Sequence, residues 1–192
     1  MSDQIIRTMP RGIQAFMGCA AAVFLLSMPG CESPDKRTSY LGKTPPEVKR
    51  LLDSDSGYIY LDVRTVEEFA AGHVPGAWNI PVLVRDGASS GLTTNDRFLP
   101  VVQANLSKDD RLVVGCRSGK RSAKAVQLMR QAGFTHLINM AGGFAGAKDE
   151  TGGVAVPGWS MLKYPTERGD GGNRGYAILR ARADEPGVMS KP

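Results

Sequence analysis

A single cysteine lies between an apolar run and a group of cations in the stretch LVVGCRSGKRSAKAV, residues 112–126. The apolar run predicts a buried strand that ends near Cys116, and the segment from Ser122 onwards predicts a helix. Backbone N–H groups and the helix dipole make such a strand-to-helix loop attractive to anions. These surroundings favour a thiolate, which makes Cys116 a candidate nucleophile for an anionic substrate. The remaining residues predicted to form this substrate-binding loop are Arg117, Ser118, Gly119, Lys120, Arg121 and Ser122.

The same cysteine also has a purely structural interpretation. A cysteine after an apolar strand is often a small core residue, and cations after it often form the solvated face of a helix. The order of strand, cysteine, basic loop, glycine and helix favours chemistry instead. Gly119 is important to that preference, because glycine allows the tight curl that points several N–H groups inward.

The amino-acid composition and net charge limit the classes of function that the protein can have. The chain has 192 residues, of which 42% are hydrophobic and 22% charged, so it suits one globular domain with extensions. The net charge of +5 becomes +4 when the two arginines and one aspartate of residues 1–30 are set aside. That is too weakly basic for a nucleic-acid partner to be expected. Neither metal-ligand spacing nor a nucleotide-binding glycine loop is found, so we expect no metal and no cofactor.

The N-terminus resembles a secretion signal. Arg7 and Arg11 precede an apolar run, residues 12–28, and polar sequence follows. The SMPGC sequence that ends at Cys31 resembles a bacterial lipobox, which implies that Cys31 is lipidated and that residues 31–43 form a tether. The protein is then exported and held at the periplasmic side of a membrane in the bacterial cell envelope. An uncleaved anchor stays open as an alternative, because the apolar run approaches the length of a membrane-spanning helix.

Cysteine use supports a chemical role for Cys116. Cys19 lies within the predicted signal, and lipidation would consume the thiol of Cys31. The mature chain would then carry one free thiol, without an intramolecular disulfide partner, in an oxidising compartment. A lone thiol there is either buried and inert or kept free for chemistry.

Short strands alternate with helices over residues 44–166, which predicts an α/β fold with a central parallel sheet flanked by helices on both faces. Thr44 and Glu47 form a predicted capping box at the first helix, and Asn95 is a predicted cap of a later one. Gly133 is a predicted C-cap, and residues 84–95 are a predicted loop. The predicted strands cover residues 58–63, 77–81, 111–115 and 136–140. We expect residues 167–192 to be a flexible tail, because they are charged, glycine-rich and weakly periodic.

Three stretches, in this order, resemble the rhodanese family of sulfurtransferases. They are LDVRTVEEFAAGHVPGAWNIP (61–81), VVGCRSGKRSAKAV (113–126) and MAGGF (140–144). The resemblance covers residues 44–166 and implies a rhodanese-like fold. It also implies that Cys116 accepts sulfane sulfur from a small anionic donor such as thiosulfate and holds it as a persulfide. The sulfur then passes to an acceptor, which is cyanide or a thiol, and the thiol can belong to a partner protein.

Other motif residues have predicted supporting roles. We expect Asp62 and Arg64 to hold the loop through charge-assisted hydrogen bonds. His73 is expected to hold a turn, Trp78 to lie in the core or at a pocket rim, and His136 to be exposed or capping. Gly115, where the family often has a bulkier residue, is expected to loosen the strand end.

Three functions remain open. The first is sulfur transfer with turnover, and the second is a sulfur-relay or binding module with little turnover. The third, phosphatase or arsenate-reductase chemistry, is disfavoured because four residues separate Cys116 from Arg121, one fewer than in the related dual-specificity phosphatases. The segment 145–158, longer than in a minimal domain, is predicted to be either a flap beside the site or a surface loop.

Overall fold

The computed structural model describes residues 42–85, 87 and 91–185. The predicted secretion signal, Cys31 and most of the predicted tether lie outside the described residues. The α-helices are α1 (Pro45–Asp53), α2 (Val66–Ala70), α3 (Phe98–Asn105), α4 (Lys120–Gln131) and α5 (Tyr176–Asp184), and a 3-10 helix covers Gly172–Arg174. The strands are β1 (Tyr58–Asp62), β2 (Trp78–Asn79), β3 (Leu83–Arg85), β4 (Leu92–Thr94), β5 (Arg111–Gly115), β6 (Leu137–Asn139), β7 (Ala147–Lys148) and β8 (Val154–Val156).

Four strands form a parallel sheet in the order β2-β1-β5-β6. Side chains alternate between its faces, as the pleat of a strand requires. On one face, Leu61 and Val114 pack with buried residues of α3, α4 and α5. On the other face, Tyr60 and Val113 pack with buried residues of α1 and α2. The predicted α/β class, with helices on both faces of a central parallel sheet, is confirmed.

Two helices begin at capping boxes of the same kind. Thr44 N–H donates to the Glu47 carboxylate at 2.8 Å at the start of α1, as the sequence predicts. At the start of α2, Glu68 N–H donates to the Thr65 hydroxyl at 3.3 Å, and Thr65 N–H donates back to the Glu68 carboxylate at 3.2 Å. A capping box satisfies N–H groups that a helix N-terminus leaves free. In α2 it also fixes the position of Glu68, which the site uses.

The segment predicted as a loop at residues 84–95 contains a short antiparallel hairpin of β3 and β4. Its strands have three residues each, too few for a periodic pattern to be visible in the sequence. The prediction that Asn95 caps the next helix is wrong, because α3 begins after Arg97, which takes the N-cap position. The Asn95 amide oxygen accepts from Arg97 N–H at 3.0 Å, and its nitrogen donates to the Pro81 carbonyl and to the Tyr176 hydroxyl.

The predicted flexible tail is wrong for residues 167–185. Backbone N–H groups of His73 and Glu167 each donate to the other residue's carbonyl at 2.9 Å. The helix α5 buries Leu179 completely in the core beside α3, and the Asn105 side chain donates to the Leu179 carbonyl. A few apolar residues therefore anchor a segment whose overall composition is polar. Residues 186–192 lie outside the described residues.

Among the described helices, none combines the length and the apolar character needed to cross a membrane.

Candidate active site

Cys116 follows β5 directly and is only 1% exposed. Its Sγ accepts from Gly119 N–H at 3.1 Å and from the Ser122 hydroxyl at 3.4 Å. Gly119 has a φ of +96° and precedes the first residue of α4, which begins two residues earlier than the sequence predicts. The single Ser122 hydroxyl hydrogen is shared with the Gly119 carbonyl, which lies 3.1 Å from the same oxygen, so the Gly119 N–H is the committed donor to the sulfur. Such an arrangement stabilises negative charge on sulfur, whether on a thiolate or on a persulfide.

The turn at residues 140–145 holds the cysteine loop through its backbone. Phe144 N–H donates to the Cys116 carbonyl at 2.7 Å, and Ala145 N–H donates to the Arg117 carbonyl at 2.8 Å. Gly143 has a φ of +57°, and a Cβ there would lie 2.4 Å from the Cys116 carbonyl oxygen. Only glycine allows this close approach of the two backbones. The Gly-Gly-Phe motif is thus the backbone clamp of the loop.

Asp62 and Arg64 form a buried ion pair beside the loop. The Arg64 guanidinium donates to the Asp62 carboxylate at 2.6 and 3.0 Å and to the Gly72 carbonyl at 2.8 Å. Burial lowers the pKa of Arg64, but the hydrogen bonds and charge of Asp62 outweigh burial and leave the pKa raised. The guanidinium also lies 4.1 Å from the centre of the Phe144 ring, so the ion pair supports the turn that clamps the loop.

Arg121 is held by Glu68. Its two terminal nitrogens donate to the two Glu68 oxygens at 2.6 and 2.7 Å. These hydrogen bonds raise the pKa of Arg121. Burial raises the pKa of the Glu68 carboxyl, but the hydrogen bonds and charge of Arg121 outweigh burial and bring it below its usual value. Arg121 therefore ties the start of α4 to α2, and its donors are occupied by a protein carboxylate.

Three further cations of this region are exposed: Arg117, Lys120 and Lys124. In the part of the chain that the structure describes, none of them has an ion-pair partner. Their charge is free to attract an anion that approaches Cys116. Ser118 lies in the same loop and is partly buried.

Tyr60 fills the space that a side chain at position 115 would take. A Cβ on Gly115 would lie 1.8 Å from the Tyr60 hydroxyl oxygen, and Tyr60 is only 2% exposed. Burial raises the pKa of Tyr60 well above its usual value, so the hydroxyl stays protonated. The strand end is therefore packed and not loosened by the glycine. Sequence reasoning missed Tyr60, because only the pairing of β1 with β5 brings the two residues together.

The histidines and the tryptophan of the motifs lie away from the sulfur contacts. His73 is buried, stacks on Phe69 at 3.7 Å, and has its Nδ1 2.9 Å from the Phe69 carbonyl oxygen, which matches the turn-holding role predicted for it. His136 is exposed, and Trp78 packs against the core. Within the described ranges, no group of histidine, cysteine and acidic residues could hold a metal ion.

The long segment at residues 145–158 contains the antiparallel hairpin of β7 and β8. It packs against the clamp, because a Cβ on Gly142 would lie 2.8 Å from both the Val156 side chain and the Pro157 carbonyl oxygen. Asp149 closes the hairpin by accepting from Thr151 and Gly153 N–H groups. The segment is an ordered hairpin that is seated beside the active-site region.

Comparison with known proteins shows which family and which proteins this chain resembles. The model of the "Rhodanese-like domain" family matches residues 44–150, more than half of the chain. "Thiosulfate sulfurtransferase 16, chloroplastic" of Arabidopsis thaliana is 43% identical over 90 residues, which are 47% of this chain and 73% of that protein. The human "Thiosulfate:glutathione sulfurtransferase" is 38% identical over 99 residues, 52% of this chain and 85% of that protein.

Solved structures agree on the fold. The crystal structure of Rv0390 from M. tuberculosis matches with a TM-score of 0.54 and 26% identity, covering 66% of this chain and 96% of that one. The chain spans only about half, 53%, of the length of two further plant relatives. The likeness thus concerns the domain and leaves the rest of those proteins unmatched.

Proposed function

This chain belongs to the rhodanese-like domain family, and from that premise we propose that it is a sulfurtransferase that carries sulfane sulfur on Cys116. The observation that carries the proposal is the buried Cys116 thiol at the start of α4, where its sulfur accepts from the Gly119 N–H and lies 3.4 Å from the Ser122 hydroxyl oxygen. The names of the relatives, which include thiosulfate and glutathione, support an anionic donor and a thiol acceptor.

The proposed reaction has two displacements on sulfur. The Cys116 thiolate attacks the outer sulfur of thiosulfate, a new S–S bond forms, and sulfite leaves with the electrons of the old S–S bond. Cyanide or a thiolate then attacks the outer sulfur of the persulfide, and its S–S bond breaks to restore the Cys116 thiolate. No proton transfer is needed in either step. This agrees with the motif histidines being absent from the described contacts of the sulfur.

The protein contributes electrostatic stabilisation in both displacements. The persulfide would carry its negative charge on the outer sulfur, next to Sγ. The Gly119 N–H and the positive end of α4 favour negative charge at this sulfur. The exposed cations Arg117 and Lys120 draw the dianionic donor towards the thiol. Because Arg121 is held by Glu68, its contribution is to fix the loop.

The experiment measures thiocyanate formation from thiosulfate and cyanide by the full-length chain. We expect turnover by the wild type and none above background by Cys116→Ser. A folded wild-type protein that forms no thiocyanate, and takes up no sulfur from thiosulfate, would contradict the proposal.

A sulfur-relay module with little turnover is the second candidate, and the burial of Cys116, at 1% exposure, favours it. In such a relay, the enclosed thiol would pass sulfur to a partner protein that docks on the loop, and only slowly to small acceptors. Stoichiometric loading by thiosulfate, combined with slow release to cyanide and to glutathione, would identify the relay. Sustained turnover with either acceptor would exclude it.

For residues 1–43 we propose export and membrane attachment in a bacterial cell envelope, with Cys31 as the lipidated residue. The support is the order of the basic residues, apolar run and SMPGC sequence. Cells that express the chain are fed a fatty-acid analogue, and wild type is compared with Cys31→Ala. Loss of label in the variant supports lipidation, and equal labelling contradicts it.

A further inference from the structure

Exposed cations lie beside the buried thiol and continue along α4. Arg117 follows Cys116 in the chain, and Lys120 and Lys124 lie four residues apart on α4. All three cations are exposed, and none has an ion-pair partner within the described residues. At about 1.5 Å per residue, Lys124 starts about 6 Å beyond Lys120 along the helix axis. The charge is therefore spread over an area larger than a donor the size of thiosulfate covers.

An exposed apolar side chain also adjoins the cysteine loop. Met161 is 46% exposed, and a Cβ on Gly146 would lie 2.7 Å from its sulfur, so Met161 packs against Gly146. The residue before Gly146 is Ala145, whose N–H donates to the Arg117 carbonyl at 2.8 Å. On the same segment, Val154 of β8 is 53% exposed. Exposed apolar side chains and exposed cations thus come together at the loop that carries the thiol.

This combination fits the surface of a protein better than a small molecule. Protein interfaces commonly have apolar contacts surrounded by charged groups, and the charges of the two partners are complementary. Three exposed cations therefore favour an acidic partner. Met161 and Val154 lie beyond residues 44–150, so the match to the family model does not account for them. Glu150 is an exposed acid at the turn of the β7–β8 hairpin, so a partner's acidic groups would lie on the α4 side.

We propose that this face binds an acidic partner protein that accepts the sulfur on a cysteine thiol. This assignment rests on the proposed sulfurtransferase function and specifies its acceptor. Acidic side chains around the partner's thiol would pair with Arg117, Lys120 and Lys124, and an apolar side chain beside that thiol would pack on Met161. The partner's thiolate attacks the outer sulfur of the Cys116 persulfide, and the S–S bond breaks. Cys116 recovers its thiolate, and the partner keeps the sulfur as a persulfide.

The test is a single transfer of sulfur from the loaded chain to synthetic peptides. The full-length chain is loaded with thiosulfate and desalted, and its extra sulfur is confirmed by intact mass. It is then mixed with the peptide Glu-Glu-Gly-Cys-Gly-Glu-Glu or with its neutral match, Gln-Gln-Gly-Cys-Gly-Gln-Gln, and the loss of sulfur is followed over time. Rates are compared per thiolate, since the glutamates raise the pKa of the peptide thiol.

We expect the acidic peptide to take the sulfur about tenfold faster than the neutral one at low ionic strength, because opposite charge raises encounter rates. The advantage should fall to about twofold at physiological salt, which screens charges. Equal rates at low ionic strength would show that the cations serve small donors alone, and would overturn the proposal. A chain that takes up no sulfur during loading would instead contradict the sulfurtransferase proposal, so the two failures are distinguishable.

A charge reversal locates the contact on α4. Lys124→Glu should reduce the preference for the acidic peptide about threefold or more, because it places a like charge where the peptide's glutamates would lie. Arg130→Glu is the control, because it makes the same change of charge at the far end of α4 and should reduce the preference much less. An undiminished preference in folded Lys124→Glu, or an equal loss in Arg130→Glu, would overturn the assignment to this face.

The apolar contact is tested with the peptide Glu-Glu-Leu-Cys-Leu-Glu-Glu. We expect it to take the sulfur about threefold faster than the glycine peptide, since a leucine side chain can pack on Met161. Met161→Gln should remove most of that gain. Leu92→Gln is the matched control, because Leu92 is similarly exposed, at 47%, and lies on the separate β3–β4 hairpin. A gain that survives Met161→Gln, or that is lost equally in Leu92→Gln, would contradict this contact.

Discussion

Two groups of cations surround the cysteine loop, and they differ in what holds them. Arg64 and Arg121 have side chains that are 5% and 17% exposed, and each is bound by a carboxylate. Arg117, Lys120 and Lys124 are exposed and have no ion pair within the described residues. The first group therefore positions the loop, and the second is available to an anion. Neighbours in sequence, such as Lys120 and Arg121, can thus have opposite roles.

The largest effect should come from breaking the most buried pair. Arg64→Ala leaves the Asp62 carboxylate buried at 1% exposure without its partner and removes the contact with Phe144. Loss of one member of a buried pair costs about 3–5 kcal/mol, so we expect a fall of that size in the free energy of unfolding. Urea unfolding checks it, with Arg117→Ala as the control. A loss below about 1 kcal/mol would show that the pair does not hold the loop.

The adjacent residues Lys120 and Arg121 offer the sharpest contrast. Arg121→Gln removes two hydrogen bonds to Glu68 and should cost about 2 kcal/mol of unfolding free energy, since bonds to charged groups are the stronger ones. Lys120→Gln should change stability by less than about 0.5 kcal/mol. Thermal unfolding and thiosulfate KM are measured for both variants. The contrast fails if Lys120→Gln destabilises as much as Arg121→Gln.

The Glu68–Arg121 pair should also depend on pH. The pKa of Glu68 is lowered in the folded chain, so its carboxylate stabilises the fold above its unfolded pKa, about 4.3. That contribution is lost as the pH falls through the lower, folded value. The unfolding free energy of wild type minus that of Glu68→Gln should be constant above about pH 5 and shrink below about pH 4. A difference that stays constant down to pH 3 would contradict this ion pair.

The smallest effect concerns the exposed group. If Arg117, Lys120 and Lys124 attract thiosulfate through solvent, the KM should rise about threefold as salt is raised to physiological levels. The triple change to glutamine should remove most of that dependence, with little loss of stability. Arg130→Gln, at the far end of α4, is the control for charge alone. The same salt dependence in the triple variant would argue against steering by these residues.

The sequence predicted those parts of the fold that depend on residues close together in the chain, such as helix caps and buried strands. The capping box of Thr44 and Glu47 begins α1, and the apolar run before Cys116 forms β5. The order of predicted strands and helices was enough to give the α/β class, because alternating elements build a parallel sheet. The predicted loop residues lie together around Cys116, since they are contiguous in the chain, and their roles in substrate binding stay predictions.

Contacts between distant segments could not be predicted. Arg121 meets Glu68, 53 positions earlier, and Tyr60 fills the space above Gly115 only because β1 pairs with β5. The helix α5 lacks a strong apolar pattern, yet one leucine, Leu179, is fully buried. Single buried residues in polar segments leave little trace in hydrophobic periodicity.

The most direct test of the central claim is the mass of the protein after sulfur loading. The full-length chain is reduced, incubated with thiosulfate, desalted and measured intact beside Cys116→Ser. We predict a gain of one sulfur atom in the wild type, its absence in the variant, and its removal by cyanide. A gain of sulfur in Cys116→Ser, or no gain in a folded and reduced wild-type protein, would contradict Cys116 as the sulfur carrier.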